Sequence, residues 1–171
     1  ELEEESCPSA GSCQGMYTAN TMACLTEVMG MSLPFCATSA AVSSKKRRIA
    51  FDSGMQIVDL VRRDVKPLDI VDKNTLRNAI ICDLAMGGST NSFLHILALA
   101  SAGEIDVTLD DFEELSHKIH QVVKLDPAAA PTMSDFHKAG GVPALVKTLI
   151  DANVGIIDKT TVSGFNVSEI V

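Results

Sequence analysis

The chain has no tryptophan and one tyrosine, and aromatic residues make up only 4% of its 171 positions. Its core therefore has to be aliphatic, built from Leu, Ile, Val, Ala and Met. Cations are also scarce: 14 Lys and Arg stand against 22 Asp and Glu, a formal net charge of −8. A chain so acidic and poor in stacking side chains lacks the face on which nucleic acid is held, so nucleic acid is excluded as a partner. No apolar run reaches the roughly 18–20 residues that span a bilayer, which argues against a membrane partner. The opening ELEEES is acidic, where a secretory signal would be basic and then apolar. There is no phosphate-binding P-loop, no Gly-x-Gly-x-x-Gly and no Ser-His-Asp order, and those enzyme classes fall away. Internal repeats and low-complexity linkers are missing too.

Against these absences stand 46% hydrophobic and 21% charged residues, the balance of a globular chain, in a length that suits one domain. Five cysteines is an odd number. With no export signal, thiols that are buried or metal-binding in a reducing, cytosolic setting are expected.

Most of the chain reads as helix. Gly15 to Met29 runs without proline to a natural terminator at Gly30. Residues 43–64 carry Ile49, Ile57, Leu60 and Val61 among charged neighbours, followed by Pro67. Asp72 is placed to cap a helix through Met86, stopped by Gly87-Gly88. From Ser89 or Thr90 to Gly103 the residues are so apolar that a buried helix is expected. Thr108 and Asp111 form a weak capping box, and Phe112, Leu115, Ile119 and Val122 then recur on one helical face. Thr132 is expected to cap a short helix to His137, and Pro143 to open another through Ala152. Strands are expected at 122–125, 155–157 and 160–162. The fold class is α/β, with helices packed on a small sheet. Both ends have the look of cut ends, as of a piece of something larger.

The chemistry-bearing candidates begin with CPSAGSCQGMYTANTM, residues 7–22. Cys13 sits just before a helix, where free N–H groups and the dipole favour a thiolate; Cys7 lies further out. The C-x5-C spacing is not that of a zinc knuckle or a bacterial ferredoxin, so cluster ligand and idle thiol both remain open. Cys24, Cys36 and Cys82 read as packing. Gly87-Gly88-Ser89-Thr90-Asn91 presents N–H groups, hydroxyls and an amide at a helix start, which suits either a carboxylate or phosphate ligand or a plain capped turn. Glu114 and His117 spell Glu-x-x-His, but a di-iron site needs two copies, so His117 and His120 belong to a wet helix face. His95 reads as a core histidine, and His137 as a turn residue with some claim to face a site. Lys45-Lys46-Arg47-Arg48 reads as a solvated turn, with a partner or anion contact as the alternative.

Taken in order, CPSAGSCQGMYTANTM, GMSLP (30–34), AMGGSTN (85–91) with LHILALA, and HKAGGVPAL (137–145) resemble the dihydroxy-acid, phosphogluconate and sugar-acid dehydratase family. GMYTANTM favours the dihydroxy-acid branch. The resemblance runs from about Ser6 to Val171. It implies that residues 1–171 form a single segment, the later portion of an N-terminal domain with a helix-rich three-layer α/β/α build, and that a β-rich C-terminal domain lies elsewhere. It also implies a hydro-lyase that converts a 2,3-dihydroxy acid to a 2-keto acid in branched-chain amino-acid synthesis, using an iron–sulfur cluster (2Fe–2S or 4Fe–4S) on three cysteines and a magnesium ion. Three thiolates leave one iron open to a substrate hydroxyl as a Lewis acid.

By that resemblance the cluster cysteine before GMYTANTM is Cys13, with Cys7 a bystander, and Ser89, Thr90 and Asn91 border the substrate pocket. The implied partners are a small dihydroxy-acid substrate, the remainder of the enzyme and a second copy in a homodimer. The implied location is cytoplasmic, or organellar for a eukaryotic parent. The Cys-Asp-Lys motif, the other cluster cysteine, the magnesium glutamate and the catalytic serine are absent and expected outside this segment, so these residues alone are expected to be inactive. DPAAAP departs from the family's usual Lys-Pro-Ser-Gly-like turn. A sugar-acid or phosphogluconate parent, or a non-catalytic interaction module descended from the enzyme, are the alternatives.

Overall fold

A computed structural model describes Gly11 and residues 13–171. Cys7, Ser12 and the acidic start lie outside the described residues. The helices are α1 (Thr18–Val28), α2 (Ser44–Arg62), α3 (Pro67–Ile70), α4 (Lys73–Met86), α5 (Asn91–Ala102), α6 (Leu109–Ser116), α7 (Met133–Lys138), α8 (Gly141–Asp151) and α9 (Val167–Ile170).

Helix α4 is the centre. Asp72 accepts from the Thr75 amide at 2.9 Å while Thr75 Oγ1 accepts from the Asp72 amide at 2.8 Å, so two amides at the helix start are satisfied reciprocally. Gly87 closes the helix at φ +60°, a left-handed conformation that suits glycine. Ten of the fourteen residues of α4 are buried. They pack against α1, α5, α6 and α8 in an aliphatic core that includes Leu25, Leu76, Ile80, Ile81, Ile96 and Leu115. The absence of tryptophan is thus met by close aliphatic packing.

Helix α2 is the opposite case. Ser43 caps it, accepting from the Lys46 amide at 3.1 Å. Only Ile49 and Leu60 of its nineteen residues are buried. The expected inward face of Ile57 and Val61 is open to solvent, along with Phe51 and Met55. A small separate cluster of Leu60, Ile70 and Val162, with Gln56 Nε2 donating to Val162 O at 2.6 Å, ties this helix down.

The helix-rich α/β reading stands, and in the described residues strand pairing amounts to one antiparallel bridge, Thr160 with Asn166. The segments 122–125 and 155–157 are irregular chain and not strands. The amides of Val122 and Val123 both donate to Ala85 O, the open carbonyl end of α4, at 2.8 and 3.1 Å. Residue 157 pairs with the Asn78 side chain, which donates to Ile157 O at 2.7 Å and accepts from its amide at 2.9 Å. Both segments thus bond to a helix where a ladder was expected.

Three further expectations are corrected. Helix α1 starts at Thr18, because Gly15 and Met16 are held against Asp126. Helix α6 ends at Ser116, so Ile119 is buried beyond it and Val122 is exposed. Helix α5 is not buried: only Ser92, Ile96 and Ala100 are, while Leu94 is 69% and Leu99 41% exposed. Its residues 91–102 are apolar on two faces, and α1 and α4 cover only one.

Candidate functional site

Cys13 is exposed. Its backbone is nevertheless well held. The buried amide of Asn20 donates to both Cys13 O and Gly15 O at 2.6 Å. The Met16 amide donates to Asp126 O, and the Met133 amide to Gln14 O, each at 2.7 Å. A Cβ on Gly15 would fall 2.4 Å from Asp126 Oδ2 and 2.5 Å from Asp126 O, so the approach requires glycine. The DPAAAP turn, given no role by its sequence, is thus a strap across the cysteine loop. Tyr17 takes the N-cap position of α1 without a side-chain bond, which leaves the dipole of that helix start uncompensated by a cap.

The glycine turn packs on the same end of α1. Ser89 N donates to Thr21 Oγ1 at 3.0 Å, Ser89 Oγ lies 3.0 Å from Thr18 Oγ1, and Asn91 Nδ2 donates to Thr18 Oγ1 at 2.8 Å. Ser89 and Asn91 are therefore joined to the first turn of the helix that follows Cys13. Thr90 takes the N-cap position of α5 without a side-chain cap bond and is exposed. The hydroxyl that bonds the start of α5 is that of Ser89, which accepts from the Asn91 amide at 3.3 Å. The two glycines are required for different reasons: Gly87 by its left-handed φ of +60°, with only the mobile end of the exposed Gln121 side chain nearby, and Gly88 by close approach to buried side chains. A Cβ on Gly87 would stand 2.0 Å from Gln121 Nε2, and one on Gly88 would stand 2.0 Å from Asp83 Oδ1. An open groove lined by Thr18, Ala19, Met22, His95, Ala98 and Leu99 runs beside this cluster.

Beneath the turn lies Asp83, 4% exposed. Burial pushes its carboxyl up to about 6, against the opposing effect of the Ser92 hydroxyl. Thr18, Thr21, Asp83 and Ser92 were not singled out by sequence. Thr18 and Thr21 stand within the TANTM run that follows the cysteine, and a carboxylate in the apolar stretch CDLAMGG was the available signal for Asp83. A second buried carboxylate, Glu27, accepts from the amides of Phe35 at 2.8 Å and Ala37 at 3.0 Å. Burial raises it, and those amides with Lys46 and Lys45 pull the other way.

The other candidates separate from this cluster. Cys24 and Cys82 are buried packing thiols, both pushed up by desolvation. His95 is exposed, against the core placement expected of it; His117 and His120 are exposed as expected. Glu114 pairs with Lys118 at 2.5 Å. His137 Nδ1 lies 2.8 Å from Thr38 Oγ1, its ring edge-on to Phe35, so it belongs to the 35–38 turn. Half of the basic run turns the same way: Lys45 sits 3.5 Å over the Phe35 ring and Lys46 bonds Cys36 O. No group of three or more His, Cys, Asp or Glu among the described residues is arranged to hold a metal ion. Cys13 is a single exposed sulfur donor, with no set of further ligands gathered around it among the described residues.

The arrangement is a cysteine loop, a helix start and a glycine turn joined by hydroxyls. The chain belongs to the family described as dihydroxy-acid/6-phosphogluconate dehydratase N-terminal, whose model matches residues 1–170. Among similar proteins, the dihydroxy-acid dehydratase of Endomicrobium trichonymphae is 51% identical over 170 residues, covering 99% of this chain and 30% of the relative. That of Methanococcus aeolicus is 50% identical, covering 100% and 31%, and that of Thermodesulfovibrio yellowstonii 50%, covering 99% and 30%. The chain spans about 30% of the length of these curated relatives.

Proposed function

We propose that this chain is part of an iron–sulfur hydro-lyase that dehydrates 2,3-dihydroxy acids to 2-keto acids in branched-chain amino-acid synthesis. Cys13 supplies one of its cluster ligands, and Ser89, Thr90 and Asn91 border the substrate. The carrying observation is the exposed Cys13 thiol on a strapped loop, one turn ahead of the helix start to which Ser89 and Asn91 are bonded. The names of relatives about half identical over nearly the whole chain support the dihydroxy-acid branch.

The cluster, when bound, supplies a Lewis-acidic iron for the departing hydroxyl. What this chain's residues do is narrower. Asn20 and Asp126 fix the backbone on which the sulfur is carried. Thr18, Ser89 and Asn91 form a patch of hydroxyls and an amide suited to a polyhydroxy acid. The further elements of this reading are the single-segment domain assignment of residues 1–171 with a separate β-rich domain, a magnesium ion held by residues outside this segment, a homodimeric parent and a cytoplasmic setting.

The test joins the chain to the rest of its protein. After iron and sulfide reconstitution, the intact protein is expected to dehydrate 2,3-dihydroxyisovalerate. Cys13→Ser should lose about a hundredfold or more in turnover together with its bound iron, while the unfolding midpoint of the chain stays unchanged because the thiol is exposed. Residues 1–171 alone should neither hold a cluster nor turn over substrate. Turnover of a sugar acid only would move the assignment to another branch of the family. A Cys13→Ser protein with full iron content and full turnover would end the ligand assignment.

A further inference from the structure

Ser92 carries one hydroxyl hydrogen and faces two acceptors. Its Oγ lies 2.6 Å from Asp83 Oδ2 and 2.6 Å from Ser89 O. With Asp83 ionised, the single hydrogen can satisfy one of these oxygens and leaves the other against a bare lone pair. A proton on Asp83 resolves the conflict: Asp83 donates to Ser92 Oγ, and Ser92 donates to Ser89 O. Asp83 Oδ1 is buried without any partner, and Gly88 presents only its Cα beside it. A full negative charge there would be uncompensated, a costly state in a low-dielectric interior.

We propose that Asp83 is a positioning residue whose proton, relayed by the Ser92 hydroxyl, fixes the Ser89 carbonyl and with it the 88–91 turn. Loss of that proton draws the Ser92 hydrogen to the carboxylate, and the Ser89 carbonyl keeps only one of its two donors, the Ser92 amide at 2.9 Å. The turn that holds Ser89 and Asn91 against Thr18 then loses an anchor. Any bearing on substrate binding rests on the function proposed above; the protonation itself does not.

Among the described residues no cation near Asp83 offsets this. The α5 side faces it with Ser92. One ionisable group feels its charge, the thiol of Cys82, its neighbour on α4, which burial and then the Asp83 charge push up; the Cys24 thiol on α1 is raised by burial, Glu27 and Cys82 and not by Asp83. Helices α6 and α8 bring Phe112, Leu115 and Leu145 to the shared core. Desolvation thus dominates, in the direction that the hydrogen-bond geometry demands.

The sign follows from linkage. A folded-state pKa near 6, raised from 3.8, gives stability that is fully present below 3.8 and lost as pH rises through 6. Between pH 5 and 7.5 this one group should lower the folding equilibrium constant about tenfold.

Carboxyl carbon-13 and amide nitrogen-15 NMR of the 171-residue chain tests the proposal. The Asp83 carboxyl should titrate near pH 6, and the amides of residues 88–91 should move with the same midpoint. Ser92→Ala should uncouple the two, leaving the carboxyl to titrate while the turn stays silent. Asp83→Asn, whose amide donates at every pH, should keep the fold and abolish the inflection. If Asp83→Asn does not fold, the wild-type and Ser92→Ala titrations decide alone. A carboxyl midpoint below about 4.5, the ordinary aspartate range, would overturn the proposal, as would a turn that ignores the Asp83 titration or still follows it in Ser92→Ala. None of these readouts involves iron or turnover, so they stand apart from the fate of the dehydratase reading.

Discussion

At the scale of single residues, two glycines have opposite consequences. Gly88 faces Asp83 Oδ1 and Thr21 Cγ2, at 2.0 and 2.7 Å from where a Cβ would stand. Both neighbours are buried, so neither can retreat into solvent. Gly88→Ala is expected to destabilise the chain by about 1–3 kcal/mol, the range of a core steric conflict. Gly54 lies inside α2 with nothing within 4 Å of its would-be Cβ. There the alanine removes unfolded-state freedom at no steric cost and should stabilise by about 0.5–1 kcal/mol. Urea unfolding of the two variants checks the pair, and equal shifts of the same sign would refute it. The Gly-Gly-Ser-Thr-Asn run marked Gly88 as a special position, but its neighbours come from helices distant in sequence. The same limit hid Thr18, because the meaning of that hydroxyl depends on Ser89, 71 positions away.

At the scale of elements, what was legible was local. The caps of α4, α6 and α7 were read from Asp72, Thr108 and Thr132, because a capping side chain and the amide it bonds lie within three residues. Segments 122–125 and 155–157 were misread because β-like residues do not say which backbone or side chain a stretch will bond. Their partners, Ala85 O and the Asn78 amide, are contributed by α4. Asp72 gives a test of element-level energetics. Its burial opposes ionisation, but Lys159 at 2.6 Å and the amides of Thr75 and Asn74 outweigh that and hold its carboxyl below the usual range. Asp72→Ala should cost about 1 kcal/mol at pH 7, chiefly through the lost cap. The ion pair adds little, because the Asp72 side chain is 38% exposed and screened. A lowered folded-state pKa means the contribution is present above 3.8 and lost as pH falls through the depressed value. The gap between wild type and Asp72→Ala should therefore close in acid, the reverse of Asp83. A gap that widens toward low pH would refute the account.

At the scale of the whole molecule, burial is distributed very unevenly, and stability should follow it. Helix α4 has ten buried residues of fourteen and contacts four other helices, whereas α2 has two of nineteen and rests on one small cluster. Opening α2 exposes little apolar surface that is not already exposed, so it should open without the rest of the fold. Amide hydrogen exchange is expected to proceed in α2 at least about tenfold faster than in α4, and through local opening where α4 requires global unfolding. Gln56→Ala, which removes the bond to Val162 O, should accelerate exchange across α2 and leave α4 unchanged. The candidate site sits on the protected side of this division, since α1, α4 and α5 together carry Thr18, Asp83 and Asn91. The proposed role of Cys13 requires its loop to hold its geometry against thermal motion, and the loop packs on the part of the molecule expected to open last. Uniform protection across α2 and α4 would show that the small Leu60 cluster couples the two regions into one cooperative unit, and the site would then share its stability with the periphery.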